Sequence, residues 1–192
     1  TAAATLRAGV IPTHERAAIL DRLAVSLTNH QEEMAQSISA EAGKPITSAR
    51  GEAARAVDTA HFSAAVARTL GGDYITMDAS SAGEGKTAFV KRVPIGVIGA
   101  ITPFNFTSIA GNLPTAPAMV GNTCLWKPAS TSVLSNYYLM KMLEEAGLPA
   151  GVINFLPGSG AQVGDPVLAD RRLAGIHFTG STGVFQGIWK TI

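Results

Sequence analysis

The feature that most constrains the fold of this sequence is the alternation, after Pro94, of short apolar segments with longer helix-like segments. The apolar segments lie at 95–101, 123–126, 152–156 and 174–178, and the helix-like segments at 107–120, 131–146, 161–169 and 182–192. Apolar segments without polar alternation predict strands that are buried on both faces, and strands that alternate with helices pair in parallel. The sequence therefore predicts an α/β fold with a doubly wound parallel sheet.

The region before Pro94 has a different pattern, which begins with helices. Apolar residues at helical spacing predict a helix over 14–42, with Thr13 as its N-cap. Asn29 and Glu32 have the spacing of a capping box that restarts this helix. A second helix is predicted over 47–70, where Ala and Val recur until a Gly-Gly pair ends the pattern.

A β-ribbon is predicted over 73–93, where two apolar segments flank a loop of Ser, Gly and Glu. The chain begins with Thr1 and still has a helical pattern at 187–192. Both ends therefore predict a fragment. We divide it into 1–93, which supplies N-terminal helices and the ribbon, and 94–192, an α/β domain expected to be incomplete at its C-terminal end.

Composition excludes several classes of protein. The chain is 46% hydrophobic and 15% charged, which predicts a large core, and its net charge of +1 gives no support for a nucleic-acid or membrane partner. Its apolar segments are interrupted well before the roughly 20 residues that cross a bilayer. A single cysteine, Cys124, excludes an internal disulfide and agrees with a cytoplasmic location. The four histidines fall on separate predicted elements without ligand spacing, so no metal site is expected.

The residues that directly follow the four predicted strands have the types that bind a phosphate-containing ligand. They lie at 102–106, 127–130, 157–160 and 179–183. The carboxyl ends of parallel strands share one edge of a sheet, where ligands bind. Gly-containing turns and helix N-termini expose backbone N–H groups to phosphate oxygens, and Lys127 can reach a ribose hydroxyl or a phosphate.

These four segments resemble the aldehyde dehydrogenase family, and the resemblance extends over nearly the whole chain. Its specific pieces are Pro94-Ile95-Gly96-Val97 leading into Thr102-Pro103-Phe104-Asn105-Phe106, then Trp126-Lys127-Pro128, and then Phe178-Thr179-Gly180-Ser181-Thr182. The resemblance implies a Rossmann-type sheet, NAD or NADP as cofactor, and oxidation of a small-molecule aldehyde to a carboxylate through a Cys thioester. It also implies a homo-oligomer for the whole protein, with the ribbon in the oligomer contacts.

The resemblance further implies a role for individual residues. Asn105 would donate its side-chain amide to the oxyanion of the thiohemiacetal, Lys127 would bind the adenosine ribose, and Gly180 and Ser181 would hold the pyrophosphate. The full set of implied cofactor-binding residues is Ile101, Thr102, Pro103, Phe104, Lys127, Ala129, Ser130, Gly160, Gly164, Thr179, Gly180, Ser181, Thr182, Gly183 and Val184. Other interpretations are that Asn105 caps the following helix, that Gly158 and Gly160 are turn glycines, and that Ser181 and Thr182 are N-caps. Capping and phosphate binding use the same exposed N–H groups and are compatible.

Two branches of the family are represented in the sequence. The second half, with Phe104-Asn105-Phe106-Thr107, Ala110-Gly111-Asn112-Leu113-Pro114 and 175–182, is similar to the L-glutamate γ-semialdehyde (1-pyrroline-5-carboxylate) dehydrogenases. The first half, with Glu41-Ala42-Gly43-Lys44-Pro45, is similar to generic aldehyde or semialdehyde dehydrogenases. Either the branch is atypical or two related sequences are joined near 101–106.

The catalytic groups of the family do not all match this chain. The resemblance places the nucleophilic Cys and the general-base Glu beyond the segment that matches Ile192, so the chain alone is expected to be inactive. Cys124 lies within an apolar strand and is expected to be a buried core residue. Ser130 replaces a carboxylate that many relatives have, so a 2′-phosphate would not be repelled. The alternatives are a non-catalytic nucleotide-binding module, a structural role in assembly, and a generic NADP-linked semialdehyde dehydrogenase.

Overall fold

Four parallel strands form the central sheet of the protein. In this computed structural model, which describes residues 1–107 and 111–192, they are β3 (Val97–Ile101), β4 (Thr123–Lys127), β5 (Ile153–Phe155) and β6 (Leu173–Phe178). Their spatial order is β5-β4-β3-β6, and every neighbouring pair is parallel. The chain thus moves outward from β3 to β5 and then returns to place β6 on the other side of β3. The predicted parallel sheet is confirmed, with each strand within a few residues of its predicted position.

Helices cover both faces of this sheet. On one face, α5 (Asn112–Met119) packs on β3 and β4, and α6 (Val133–Glu145) packs on the N-terminal helices. On the other face, α1 (Ala2–Ala8) contacts β3 and β4, and α7 (Asp165–Leu168) places Val167 over Gly99. A Cβ on Gly99 would lie 2.6 Å from Cδ1 of Ile176, so glycine permits this close packing. The doubly wound arrangement is therefore confirmed.

Three N-terminal helices complete the core. They are α2 (Thr13–Asn29), α3 (Gln31–Ala42) and α4 (Ile46–Thr69), and α2 packs extensively along α4. The buried residues of α2, α3 and α4 form one hydrophobic cluster with those of β3, β4, α5 and α6. This continuity is explained by small side chains on α4, where alanines are buried at spacings of three to four residues.

The predicted helix over 14–42 is interrupted at His30, and both predicted caps are wrong. Thr13 is the first helical residue, while Pro12 occupies the N-cap position. The N-cap of α3 is His30, which makes no side-chain cap; instead its Nδ1 lies 2.8 Å from Oε2 of Glu33. The interruption therefore arises at the position after Asn29, without the capping box that the sequence predicts.

The ribbon of two antiparallel strands is confirmed. Strand β1 (Gly72–Thr76) pairs with β2 (Thr87–Lys91), and the loop between them contains a short 3-10 helix, Ser81–Gly83. Tyr74 and Phe89 lie opposite each other, with ring centroids 5.4 Å apart, and both are exposed, Phe89 to 80%. The ribbon therefore presents an aromatic surface that the described residues leave open to solvent.

The remaining helices differ from prediction in detail. The segment predicted as a helix over 161–169 is a π-helical turn, Gly160–Gly164, followed by the single turn of α7. The helix predicted over 107–120 is present as α5, with Gly111 as its N-cap, while 108–110, including Ala110 of the sequence motif, lie outside the described residues. The last helix, α8 (Thr182–Thr191), is confirmed, and Trp189 on it is 71% exposed.

Candidate functional site at the carboxyl edge of the sheet

The carboxyl ends of β4, β3 and β6 lie side by side. Ile101, the last residue of β3, is paired with Lys127 on one side and with Phe178 on the other. The pairing continues one residue further, since Thr102 N donates to the Lys127 carbonyl at 3.2 Å and Thr179 N donates to the Ile101 carbonyl at 3.1 Å. Numbered in chain order, the strands have the order 3-2-1-4, which makes the crevice between β3 and β6 the switch point where ligands bind in such sheets.

Lys127 is held at this edge by its own strand and by a turn. Its side chain is partly buried, and its Nζ donates to the Pro128 carbonyl at 3.0 Å. Burial lowers the pKa of Lys127 because desolvation disfavours the charged ammonium. The two following residues of the predicted set, Ala129 and Ser130, form a turn in which the Ala129 carbonyl accepts from Ser132 N at 3.1 Å. Ser130 is exposed and leaves the edge without a carboxylate at that position.

The N-terminus of α8 lies just beyond β6. Ser181 is its N-cap, as predicted, and its Oγ accepts from Val184 N at 3.4 Å. The predicted residues Thr179, Gly180, Thr182 and Gly183 are all exposed around this helix start. A Cβ on Gly180 would lie 2.6 Å from Cζ of Phe178, so a side chain there would displace the ring. The start of α8 therefore exposes backbone N–H groups beside a glycine, whose lack of a side chain lets a ligand come close to the backbone. This arrangement fits the phosphates of a dinucleotide.

The turn after β5 contains a capping box that the sequence analysis missed. Ser159 Oγ accepts from Gln162 N at 3.2 Å, and the Gln162 side chain accepts from Ser159 N at 3.2 Å. The signal in the sequence is the Ser-x-x-Gln spacing, here around the predicted Gly160. Gly160 itself is exposed, whereas Gly164 is buried at the end of the π-helical turn. Of these two predicted residues, Gly160 is therefore accessible to a ligand and Gly164 is not.

The loop after β3 carries Asn105 on its exposed side. Thr102 and Thr107 are buried at its two ends, while Phe104 is 54% exposed and Asn105 is exposed. Pro103 is partly buried between them. The predicted oxyanion donor therefore stands on a short exposed segment between two buried threonines.

Two charged residues contact this loop, Lys44 from the connection between α3 and α4 and Glu52 from α4. Lys44 Nζ donates to the Asn105 carbonyl at 2.5 Å and forms an ion pair with Glu52, whose carboxylate also accepts from Thr107 Oγ1 at 3.4 Å. Glu52 is 2% exposed, in the middle of α4. The sequence alone indicates no role for either residue, and its one signal that includes Lys44 is the Glu-Ala-Gly-Lys-Pro motif.

Two groups that resemble catalytic residues have structural environments. Cys124 is buried, its Sγ donates to the Pro114 carbonyl at 3.1 Å, and burial raises its pKa to about 12. The expectation that it is a core residue is confirmed. His177 on β6 is partly buried and hydrogen-bonded through Nδ1 to the Leu113 carbonyl at 2.9 Å, as expected for a core histidine. Neither residue faces the edge with a reactive group.

The comparison with known families decides which class of protein this is. The model of the aldehyde dehydrogenase family matches residues 2–192. The chain belongs to the aldehyde dehydrogenase family.

Solved structures agree with this aldehyde dehydrogenase fold across both halves of the chain. An NADP-dependent glyceraldehyde-3-phosphate dehydrogenase from Bacillus halodurans, complexed with NADP, is 32% identical with a TM-score of 0.90, covering 99% of this chain and 40% of that one. Proline utilization A from Bdellovibrio bacteriovorus is 33% identical with a TM-score of 0.90, covering 99% of this chain and 20% of that one.

Curated relatives of this aldehyde dehydrogenase chain share a more specific name. A mitochondrial delta-1-pyrroline-5-carboxylate dehydrogenase from Dictyostelium discoideum is 62% identical over 95 residues, and its human counterpart is 48% identical over 97 residues. Each match covers 50% of this chain and 17% of the relative. The predicted resemblance to this branch over half of the chain is confirmed. The chain spans less than half the length of the curated relatives and solved structures named here.

The described part of this aldehyde dehydrogenase chain contains neither a membrane-spanning helix nor a cluster of metal ligands. Among the described residues, none of the helices has the length and apolar character required to span a membrane. Within the same residues, no cluster of three or more His, Cys, Asp or Glu side chains could hold a metal ion.

Proposed function

We propose that the chain forms the cofactor-binding part of an NAD(P)-dependent aldehyde dehydrogenase that oxidises L-glutamate γ-semialdehyde to the carboxylate. The observation that supports this most is the 3-2-1-4 strand order, with Lys127 and the exposed N-terminus of α8 on either side of the end of β3. This is the arrangement in which doubly wound sheets bind dinucleotides. Relatives named NAD-dependent and NADP-dependent among the matched structures agree with this cofactor class.

In this proposal each part of the edge binds one part of the cofactor. Lys127 binds the adenosine ribose, and the backbone N–H groups at Gly180, Ser181 and Thr182 bind the pyrophosphate, where the helix dipole favours negative charge. Residues 101–104 line the crevice between them. Since Ser130 introduces no negative charge beside the ribose, we propose that NADP binds as well as NAD. A cofactor bound in this way would supply the hydride acceptor for the oxidation.

Asn105 is the group of this chain that acts on the substrate in the proposed function. Its amide donates a hydrogen bond to the oxyanion that forms when the aldehyde carbonyl is attacked, and an uncharged donor does this without a proton transfer. The attacking thiolate is not Cys124, because that thiol is buried and its pKa is raised to about 12. The proposed reaction therefore uses a nucleophile and a base outside this chain.

The substrate, the assembly and the location rest on different observations. The proposed substrate is supported by relatives named delta-1-pyrroline-5-carboxylate dehydrogenase at 46–62% identity over half of the chain. We propose that the exposed aromatic surface of the β1–β2 ribbon contributes to a homo-oligomer of the whole protein, so that 1–93 belong partly to the cofactor domain and partly to an oligomer arm. The cytoplasmic location stays a prediction, since several relatives are named mitochondrial.

Calorimetric titration with NAD and with NADP tests the cofactor site. Wild-type protein is expected to bind both, and Lys127→Ala is expected to weaken binding about tenfold or more through loss of a charge-assisted hydrogen bond. Lys86→Ala is the matched control, because Lys86 lies on the exposed ribbon loop and its Nζ donates to the carbonyl of Ala82 in the same loop. A folded wild-type protein that binds neither cofactor would contradict the proposal.

A second candidate function is nucleotide binding without turnover by this chain. It is favoured by the burial of the single cysteine, which leaves the chain without an accessible thiolate. Spectroscopic detection of NADH or NADPH with L-glutamate γ-semialdehyde separates the two candidates. The 192-residue chain is expected to bind cofactor and form no product, while the full-length protein is expected to form product. A full-length protein without turnover would leave the binding module as the function.

A further inference from the structure

The loop 102–107 is attached to the body of the protein at both of its ends. At its beginning, Thr102 is 2% exposed and hydrogen-bonded to the neighbouring strand. At its end, Thr107 is 1% exposed and donates through Oγ1 to the carboxylate of Glu52. The exposed residue Asn105 lies between these two attachments. Its surroundings are therefore fixed on both sides, although the residue itself is open to solvent.

Lys44 adds a third attachment, directly at Asn105. Its Nζ donates to the Asn105 backbone carbonyl at 2.5 Å and lies 4.3 Å from the ring centroid of Phe106, which Arg55 also approaches at 6.0 Å. The side chain of Lys44 is only 17% exposed, and that of its ion-pair partner Glu52 is 1% exposed. Charge-assisted hydrogen bonds in such a partly buried position are stronger than those in water. One ammonium group therefore holds both the backbone and the aromatic neighbour of the predicted oxyanion donor.

We infer that Lys44, held in place by Glu52, is a positioning residue that orients the side-chain amide of Asn105. The inference rests on the proposed function of Asn105. An oxyanion donor is most effective when its orientation is set before the charge develops. Since the ammonium restrains the carbonyl of Asn105, it restrains rotation of the backbone from which the amide projects. Removing Lys44 leaves the donor present but unoriented, and a displacement of about 1 Å in such a group costs on the order of 100-fold in rate.

A nearby ion pair, which joins α3 to α4, provides the matched control. Arg50 on α4 donates from Nε and Nη2 to Glu32 on α3, both at 2.8 Å, and both side chains are about half exposed. The Arg50–Glu32 pair joins α3 to α4, while the Lys44–Glu52 pair joins the α3–α4 connection to α4. Among the described residues, no contact of Arg50 or Glu32 with the loop 102–107 is found. A variant Arg50→Met therefore tests the loss of an α3–α4 ion pair by itself.

The test compares four variants with wild type in the full-length protein. They are Lys44→Met, the double variant Lys44→Met/Glu52→Gln, Lys44→Arg and Arg50→Met. The double variant avoids leaving a buried carboxylate without its lysine, so it stays informative if Lys44→Met does not fold. Three quantities are measured: hydrogen exchange of the amides at 104–107, the KM for cofactor, and kcat with L-glutamate γ-semialdehyde.

The inference predicts a specific combination of results. Exchange at 104–107 rises about tenfold and kcat falls about 10- to 100-fold in the two Met variants, while the KM for cofactor stays within about twofold because Lys127 and α8 are unchanged. Lys44→Arg keeps a charged donor and recovers most of kcat, and Arg50→Met behaves as wild type. A folded double variant with unchanged exchange and kcat would overturn the inference. If wild type binds no cofactor and shows no turnover, the proposed function is wrong, and the exchange data still decide whether Lys44 holds the loop.

Discussion

Trp126 donates its indole Nε1–H to Oγ1 of Thr102 at 3.1 Å, and the two side chains are 0% and 2% exposed. The bond joins the end of β4 to the first residue of the loop after β3. A buried donor that loses its acceptor carries the full cost of its desolvation. The position of the loop that carries Asn105 therefore depends on an indole in the neighbouring strand.

Thr102→Val removes this acceptor without changing the size of the side chain. We expect the free energy of unfolding to fall by about 1–3 kcal/mol, because the indole N–H of Trp126 stays buried without its acceptor. Urea denaturation measures this change. Thr59→Val on α4 is the control, because the hydroxyl of Thr59 donates to the Arg55 carbonyl within the same helix, and a change within about 0.5 kcal/mol is expected there. Equal stability of the two variants would show that the indole N–H finds another partner.

Cys124 is expected to be unreactive in the native protein. Burial raises the pKa of this thiol to about 12 from its ordinary value near 9, so at pH 8 it stays protonated and inaccessible. Mass spectrometry after treatment with iodoacetamide should show no label in native protein and one label in urea. Because the folded pKa is the higher one, this thiol contributes stability that is complete below about pH 9 and is lost as the pH rises from 9 towards 12. Rapid labelling of the native protein would contradict the buried position.

Glu41 caps α6 from a different helix. Its carboxylate accepts from Leu134 N at 2.6 Å and from Ser135 N at 2.9 Å, while the N-cap residue Ser132 makes no side-chain cap. Glu41→Ala is expected to lower the free energy of unfolding by about 1–2 kcal/mol, since two N–H groups at a helix N-terminus lose a charged acceptor. Thermal or urea unfolding measures the loss. Glu33→Ala, in an exposed pair with His30, should cost less than about 1 kcal/mol.

We expect that a side chain at position 180, which is Gly180 in this protein, weakens cofactor binding. A Cβ at this position would lie 2.6 Å from the Phe178 ring and would shift it beside the N-terminus of α8. Gly180→Ala should therefore weaken the affinity for NAD in calorimetric titration. Gly187→Ala on the same helix is the control, because nothing lies within 4 Å of its Cβ and alanine favours the helix. If both variants bind NAD equally well, the absence of a side chain at Gly180 is not required for cofactor binding.

The exposed ion pair of Glu32 and Arg50 gives a prediction for pH. The hydrogen bond from Arg50 holds the pKa of Glu32 well below its ordinary value, at about 2. Because the folded pKa is the lower one, the stabilising effect of the pair is present above about pH 4.5 and is lost as the pH falls towards 2. Carboxyl chemical shifts measured by NMR should show Glu32 titrating at a lower pH in wild type than in Arg50→Met, and 1 M salt should reduce this difference.

The elements that were predicted correctly share one property, a local pattern of burial. Continuous apolar segments gave the four strands, and turn residues after them gave the positions of Thr102, Lys127 and Ser181 at one edge. The details that were wrong concern the ends of the first two long helices. His30, and not Asn29, interrupts the first long helix, and Thr13 lies within it, because the caps of α2 and α3 use no side-chain hydrogen bond that a sequence motif could reveal.

The parallel sheet, the ends of its strands and the family could be predicted from local patterns, because periodicity and strand-end motifs are properties of neighbouring residues. Contacts between groups that are distant along the chain could not be predicted in this way. Lys44 reaches a carbonyl 61 residues away, and Glu41 accepts from a backbone N–H of α6 that lies 93 residues later in the chain. Such contacts depend on how α3 and α4 pack against the sheet, and no local pattern specifies that packing. The orientation of Asn105 is therefore set by residues whose place beside it only the folded chain reveals.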